Sequence, residues 1–257
     1  GPYSNSAFDI VCKNDKVYMI IGGKDLLNGK RFDKGGYILT YDYDKWSFID
    51  PKEAQKKLNL PRNPRDYTSI AVTTDDSNDE IVYASSMGDG VIQYKNGTPV
   101  QSYNEKNAFK ETAGGYGSGY CYIDGLAFDK NGNLWMTSSE VNHAVLVLDK
   151  AGAWHRLDIE QLRGVYTIND ILITSTNDKW IYVPRNTPKL VMIPNSESLD
   201  EVSSYEFTTL IDTDGKELTP SNYTCVAEDK DGYIWVGTNR GAVYFTKPRI
   251  SSAEDKA

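Results

Sequence analysis

The chain has 257 residues, of which 39% are hydrophobic and 12% aromatic, and its formal net charge at pH 7 is −8. Such an acidic chain has no basic field to neutralise phosphates, which argues against binding to nucleic acid or anionic lipid. No apolar run approaches the roughly 20 residues of a membrane-spanning helix, and the first residues lack the pattern of a signal peptide. We expect no membrane span here. These features are consistent with a cytosolic protein and also with a mature or excised piece of a larger protein.

The first predicted unit covers residues 7–50 and contains four short apolar runs that alternate with polar residues. A charged insertion at residues 22–36, bracketed by glycines, separates the second run from the third, and we expect it to be weakly supported by hydrogen bonds. Residues 51–58, PKEAQKKL, place a proline before good helix formers. This pattern predicts one or two helical turns.

The connection to the second unit, residues 67–104, carries two arginines. Arg62 and Arg65 are candidate contacts for an anion, although solvated loop arginines are commoner in such segments. A glycine-rich segment at residues 107–122 follows, and its Tyr116 and Tyr120 are candidate ligand contacts. We expect residues 107–120 to be as weakly supported by hydrogen bonds as the insertion. A plain linker is the alternative interpretation. No Gly-Lys-Ser/Thr sequence follows the glycines, so this is not a phosphate-binding loop.

The third unit, residues 122–159, is the clearest four-stranded meander, because Gly132 and Gly152 supply tight hairpin turns. Asp129, Asn131 and Asn133 imitate part of a calcium loop. An EF-hand, however, needs glycine at its sixth position and a helix after the loop, and neither is present. The sequence therefore favours a hairpin turn and predicts no metal site.

Two further units cover residues 166–211 and 222–247. Three prolines in the fourth unit suit strand ends, because proline cannot donate a hydrogen bond within a sheet; they are Pro184, Pro188 and Pro194. The fifth unit has only three strand-like runs. We therefore expect residues 7–50 and 223–246 to be the end units of an incomplete ring, with their outer faces covered by missing blades or another chain.

An aromatic residue recurs in the second run of every unit, at intervals of about 50 residues. These residues are Tyr18, Tyr83, Trp135, Tyr182 and Trp235. Four-stranded repeats of this period are typical of a β-propeller. The sequence thus predicts an all-β chain, one domain over residues 1–257, built of about five four-stranded antiparallel blades. We expect the two tryptophans to be buried between adjacent units.

Neither the cysteines nor the histidines indicate catalysis. Cys12, Cys121 and Cys225 are odd in number and have no metal-binding spacing, so we interpret them as buried small side chains within strands. His143 and His155 lie in or beside strands without a nucleophile motif. We therefore predict no catalytic residues, no cofactor and no enzymatic activity.

The segments DGLAFDKNGNLWMTSS and YTCVAEDKDGYIWVGTNRGAVYF resemble the repeat of two-component-regulator propellers. The order of segments along the chain is similar to that of the PorZ-type accessory proteins of the type IX (Por) secretion system. That resemblance implies part of a larger seven-bladed propeller in the periplasm or at the outer-membrane surface, which binds protein partners or a surface glycan or lipopolysaccharide. The alternatives are the extracytoplasmic sensor domain of a hybrid histidine kinase and a propeller lyase or hydrolase.

Overall fold

The structure, a computed structural model, describes residues 1–26, 28–113, 119–211 and 214–245, and most of its regular structure is β-strand. Short apolar runs form the strands, because turn residues with positive φ separate them. The first unit is a four-stranded antiparallel meander. Its strands are β1 (Ala7–Lys13), β2 (Lys16–Ile21), β3 (Ile38–Asp42) and β4 (Lys45–Ile49).

The next eight strands form one continuous sheet with two halves, which we call the second and third units. The second unit contains β5 (Tyr67–Thr74), β6 (Glu80–Gly88), β7 (Gly90–Lys95) and β8 (Thr98–Tyr103). The third contains β9 (Cys121–Phe128), β10 (Leu134–Ser138), β11 (Val145–Leu148) and β12 (Trp154–Leu157). The halves are joined where the end of β6 pairs with the start of β9, through Met87 with Tyr122 and Gly88 with Cys121.

The fourth unit is another four-stranded meander, and a two-stranded ribbon and a three-stranded last unit follow it. The fourth unit contains β13 (Ile171–Ile173), β14 (Lys179–Val183), β15 (Lys189–Ile193) and β16 (Tyr205–Phe207). The ribbon contains β17 (Leu210–Ile211) and β18 (Glu217–Leu218), and the last unit contains β19 (Tyr223–Glu228), β20 (Ile234–Thr238) and β21 (Gly241–Phe245). As predicted, Pro184, Pro188 and Pro194 flank β14 and β15.

One α-helix, α1 (Pro51–Leu58), occurs within the described residues, as the sequence predicts. Asp50 caps its first turn by accepting a 2.9 Å hydrogen bond from Lys52 N, and Asn59 ends it in the left-handed conformation. A single 3-10 turn covers Glu160–Leu162. In the described part of the chain, no helix is both long and apolar enough to span a membrane.

The units pack face to face in chain order, and each apolar core lies between two consecutive units. Tyr18, Ile38, Tyr67 and Ile92 belong to the core between the first and second units. Equivalent cores lie between the second and third, the third and fourth, and the fourth and last units. Each large apolar side chain buried in this way contributes about 1.5–3 kcal/mol. This arrangement confirms the predicted all-β propeller fold, whereas the number of blades and the single-domain division stay predictions.

The first strands of successive units lie side by side, in the order β1, β5, β9, β13 and β19. Asp9 Oδ2 on β1 accepts hydrogen bonds from Ser69 Oγ (3.3 Å) and Ile70 N (3.2 Å) on β5. Ser69 Oγ in turn accepts one from Leu126 N on β9 (3.2 Å). Side chains on the first strands of the first and second units therefore bind the backbone of the next unit.

The insertion at residues 22–36 corrects the prediction of weak support. Its backbone is hydrogen-bonded within itself, for example from Asp25 N to Lys30 O at 2.8 Å. Lys24 forms a buried ion pair with Asp124 on β9, and its Nζ also donates to Ile168 O at 3.3 Å. The prediction is wrong because the charged residues of the insertion find partners in later units. The weak support expected for residues 107–120 is untested at residues 114–118, which lie outside the described residues.

The burial prediction holds for one tryptophan only. Trp135 is 1% exposed, but Trp235 is 41% exposed, because no other described unit packs on the outer face of the last unit. The same cause applies to the cysteines. Cys121 is buried as expected, whereas Cys12 on β1 and Cys225 on β19 are exposed. The expectation was therefore wrong for Trp235, Cys12 and Cys225.

The Asp129 turn has the hairpin structure that the sequence favours. Asp129 Oδ1 accepts hydrogen bonds from the backbone N–H groups of Asn131 and Asn133, each at 2.9 Å. Its Oδ2 accepts from Asn133 Nδ2 and Trp135 Nε1, again at 2.9 Å. The carboxylate thus holds both the turn and the indole that follows it.

Candidate functional site

The candidate site lies at one end of the propeller, around the tight turn between β6 and β7. Gly90 has φ +79°, and a Cβ at this position would lie 2.1 Å from Tyr103 O, so only glycine fits. The turn presents Asp89, whose backbone N lies 3.2 Å from Ser86 Oγ. Ser86 Oγ also lies 3.4 Å from Asp89 Oδ2, so Ser86 contacts both the backbone and the carboxylate of Asp89.

Asp89 binds the connection that leads into β5. Arg62 Nε and Nη2 donate to Asp89 Oδ1 at 2.8 and 2.7 Å, and Arg65 N donates to Asp89 Oδ2 at 3.1 Å. The Arg65 guanidinium has a different carboxylate neighbour. Its Nη1 lies 4.0 Å from Asp33 Oδ1, and half of the side chain is exposed. Asp89 therefore fixes Arg62 through its side chain and Arg65 through its backbone.

The insertion adds a third arginine to this region. Arg31 Nε lies 2.9 Å from Asp33 Oδ1 and 3.1 Å from Asp66 Oδ2, and Asp66 Oδ1 accepts from Lys34 N at 2.9 Å. Asp66 is fully buried, and this burial raises the pKa of its carboxyl, while Arg31 and the Lys34 amide act against the rise. Asp66 thus joins the insertion to the connection that carries Arg62 and Arg65.

Tyr120 completes the surface from the other side. Its ring packs on the backbone at Gly88, where a Cβ would lie 2.7 Å from the ring. Burial raises the pKa of Tyr120, and its hydrogen bond to Arg31 acts in the opposite direction. Tyr120 therefore lies beside the arginines, and we call the group Arg31, Arg62, Arg65 and Tyr120 the arginine–tyrosine surface.

The structure brings together three of the four residues that the sequence singles out. Arg62, Arg65 and Tyr120 converge on the Asp89 turn, whereas Tyr116 lies outside the described residues. The sequence analysis missed Arg31 and the carboxylates that orient these side chains. The charged insertion between glycines was the signal that could have identified Arg31. Loop segments that lie outside the repeating strands often carry binding residues.

A second charged group lies where the insertion meets the third and fourth units. The Lys24–Asp124 ion pair is buried, and Ser139 Oγ donates to Asp124 Oδ2 at 2.6 Å. Asp170 lies next to this pair, and the protein atoms packed around its partly exposed carboxyl, together with the Asp9 carboxylate, raise its pKa to about 7. The cluster fastens the insertion at the centre of the fold.

The two histidines lie in ion pairs away from the arginine–tyrosine surface. His143 Nδ1 contacts Glu111, and His155 lies 3.0 Å from both Asp200 and Asp149. The Asp200 and Asp149 carboxylates raise the pKa of His155. Across the described ranges, no group of three or more His, Cys, Asp or Glu side chains is arranged to hold a metal ion.

Comparisons with known proteins agree with the fold. Residues 217–240 match the family model described as two component regulator propeller. The structure is similar to PorZ, described as an essential bacterial surface component of the type-IX secretion system of Porphyromonas gingivalis. The TM-score is 0.83 and the identity 18%, over 95% of this chain and 33% of PorZ. No match was found among curated proteins.

Two further solved structures share the fold at lower similarity. The extracellular domain of the hybrid two component system BT4673 from B. thetaiotaomicron has a TM-score of 0.56 and 16% identity, over 93% of this chain and 28% of that one. A 6-phosphogluconolactonase from Bacteroides uniformis has a TM-score of 0.51 and 11% identity, over 89% of this chain and 63% of that one. This chain therefore has a β-propeller fold, and its residues 217–240 match the two component regulator propeller model, in agreement with the resemblance seen in its sequence.

Proposed function

We propose that this chain is a non-catalytic binding part of an extracytoplasmic bacterial protein, and that it binds an anionic partner at the arginine–tyrosine surface. The observation that carries the proposal is the state of Arg65. Its side chain is 51% exposed, and the closest carboxylate oxygen among its ion pairs is 4.0 Å away. Its backbone, in contrast, is anchored to Asp89. A guanidinium held in this way can bind a carboxylate or phosphate through two parallel hydrogen bonds.

The neighbouring arginines support Arg65 rather than compete with it. Arg62 is already bound to Asp89 and Arg31 to Asp66, so these two side chains mainly hold the surface together. Tyr120 adds an aromatic face beside them, which suits a partner with both apolar and anionic groups. An acidic protein segment or a phosphate-bearing surface glycan such as lipopolysaccharide meets this description.

The similar structures support the location outside the cytoplasm. PorZ is described as a surface component, and the propeller of BT4673 as an extracellular domain. The chain spans only a third of PorZ, so the activity of a whole protein of that kind is part of the proposal. The similarity to a 6-phosphogluconolactonase is too low in identity to suggest lactone chemistry for this chain.

The second candidate function is ligand sensing in a hybrid two-component histidine kinase. The match of residues 217–240 to the two component regulator propeller favours it. The complete coding sequence distinguishes the two candidates. A membrane helix and kinase domain after residue 257 would indicate a sensor, whereas further propeller repeats and a sorting domain would indicate a secretion accessory protein.

Binding of lipopolysaccharide vesicles to the immobilised chain tests the anion site. We expect Arg65→Gln to weaken binding by about tenfold, as the loss of one charge-assisted contact implies. Arg163→Gln is the matched control, because Arg163 is similarly exposed but pairs with Asp158 elsewhere on the surface. Binding should also weaken as salt is raised.

An acidic peptide serves as a second probe in the same assay. Binding of the vesicles alone would indicate a glycan partner, and binding of the peptide alone a protein partner. Equal binding by the wild type and Arg65→Gln, or no binding of either probe at low salt, would contradict an anion site at this surface.

A further inference from the structure

Asp33, on the insertion, contacts two arginines of the arginine–tyrosine surface. Its Oδ1 lies 2.9 Å from Arg31 Nε and 4.0 Å from Arg65 Nη1. The Asp33 side chain is 62% exposed, whereas the side chains of Asp66 and Asp89 are 0% and 15% exposed. Solvent, and a partner in solution, can therefore reach the Asp33 carboxylate.

Backbone pairing places Asp33 beside Arg65. The end of the insertion runs antiparallel to the connection that leads into β5: Gly35 pairs with Arg65, and Asp66 N donates to Lys34 O at 2.9 Å. Asp33 comes directly before this pairing and has φ +57°, a left-handed conformation that aspartate adopts more readily than most residues. The position of its carboxylate is thus determined by two segments that are distant in the sequence.

The contacts that Asp33 makes with the arginines are poorly directed. Arg31 Nε donates a hydrogen bond to Asp66 Oδ2 at 3.1 Å, and a hydrogen bond requires an N–H group that points at its acceptor. Among the described residues, no aligned hydrogen bond joins Arg31 or Arg65 to Asp33. Coulombic attraction therefore holds the Asp33 carboxylate there, and an exposed ion pair of this kind is weak.

The arginines keep their positions without Asp33. Asp66 is buried and binds Arg31, and the backbone N of Arg65 is bound to Asp89. A guanidinium has five N–H donors, so Arg31 and Arg65 can still donate to an anion that lies between them. Displacement of the Asp33 carboxylate would therefore free a position for an anion without loosening the surface.

We propose that Asp33 is an internal competitor for the anion site: its carboxylate occupies the place between Arg31 and Arg65 that the anionic group of the partner takes on binding. The inference rests on the proposed function, because it concerns the same site. A partner replaces a poorly directed ion pair with aligned, charge-assisted hydrogen bonds, and this gain drives the exchange. Asp33 thereby lowers the affinity for every anion and favours partners that form several aligned contacts.

The affinity of Asp33→Asn for the lipopolysaccharide vesicles and the acidic peptide tests the proposal. Asparagine has nearly the same size and tolerates positive φ, so the backbone pairing should persist. We expect this variant to bind whichever probe the wild type binds about twofold to fivefold more tightly, the range that an exposed ion pair implies. Asp76→Asn is the control, because it removes the same charge at an almost fully exposed position on the β5–β6 turn, and it should bind like the wild type.

A second variant, Asp33→Gly, suits the positive φ and should give the same gain in affinity. Circular dichroism of each variant checks that the fold persists.

A double variant separates direct competition from a general effect of charge. In the Arg65→Gln background, Asp33→Asn should lose most of its gain, because one of the two arginines that Asp33 contacts is absent. The same gain in both backgrounds would mean that Asp33 acts through long-range charge, and would overturn the inference.

The remaining outcomes distinguish this inference from the proposed function. Equal affinities of the wild type and Asp33→Asn, with weaker binding by Arg65→Gln, would overturn the competitor and support the anion site. If neither the wild type nor Asp33→Asn bound either probe at low salt, both proposals would be wrong.

Discussion

Trp235 Nε1 donates a 2.7 Å hydrogen bond to Asp229 Oδ2, the same bond that Trp135 Nε1 makes with Asp129 at 2.9 Å. The bond holds the pKa of the Asp229 carboxyl below its ordinary value. Both hairpins therefore have the same register, although one indole is buried and the other lies at the surface. A local bond fixes the turn, and only the neighbouring unit decides burial.

The two tryptophans should differ sharply in what they contribute to stability. Trp135→Ala leaves a cavity between the third and fourth units, and we expect it to lower the free energy of unfolding by about 3–5 kcal/mol. Trp235→Ala removes an equivalent side chain without making a closed cavity, so its effect should stay below about 1 kcal/mol. Chemical denaturation of both variants measures the difference. Equal losses would contradict the exposed position of Trp235.

Substitutions of Lys24 and Asp124 should be strongly coupled in their effects on the free energy of unfolding. Lys24→Met or Asp124→Asn leaves one buried charge without its partner, and each should lower the free energy of unfolding by about 3–5 kcal/mol. The double variant has no unpaired charge and should lose less than the sum of the two. Urea unfolding of the four proteins gives the coupling. Additive losses would mean that the two side chains do not interact.

Asp170 should make stability depend on pH. Its folded pKa of about 7 lies above the ordinary value of 3.8, so the folded state holds the extra proton between these pH values. Stability therefore falls as pH rises through this window. Asp170→Asn avoids that loss and should be more stable than the wild type at pH 8, by about 1–2 kcal/mol after allowance for solvent screening of the exposed side chain.

The difference between wild type and Asp170→Asn should disappear below about pH 3, under the ordinary pKa of 3.8, where the carboxyl is protonated in both states. Thermal unfolding of both proteins across the pH range measures this difference in stability. Asp76→Asn is the control, because that side chain is almost fully exposed. A constant difference at every pH would show that the substitution acts through packing and that Asp170 keeps an ordinary pKa.

The three cysteines should react with a thiol reagent at different rates. Cys12 and Cys225 are exposed, so they should be labelled in the folded protein at low concentration. Burial raises the pKa of the Cys121 thiol to about 12, and this residue should react only on unfolding. Mass spectrometry of the time course identifies each site. Rapid labelling of Cys121 in the folded state would contradict the β6–β9 packing.

The sequence was sufficient for features that depend on nearby residues. The apolar alternation and the turn residues predict the strands, and the residues from Asp50 to Asn59 determine helix α1. The Asp129 and Asp229 hairpins also follow from their own segments, since each bond spans only a few residues. The propeller fold was predictable because these local signals recur along the chain.

Features that depend on distant residues were not predictable in this way. Arg31 meets Asp66 only because the insertion packs on the connection to the second unit, and Arg62 meets Asp89 only because that connection packs on the β6–β7 turn. No local pattern links either pair. The burial of an indole likewise depends on whether another unit lies against it. The sequence was enough to name Arg62 and Arg65 as candidates. It did not show that Arg62 is bound and Arg65 half exposed, because this difference depends on the position of the Asp89 turn.

The insertion has a consequence for how the chain folds. Units of a repeating architecture contact mainly their neighbours, so they can form and open separately. Here Lys24 bonds to Ile168 O, and Arg185 Nη1 donates to Leu26 O at 2.6 Å. These links close loops of well over a hundred residues, which are slow to form and favour late completion. We therefore expect the first unit to reach its final state only after the fourth has folded, and the two units to open together in hydrogen exchange.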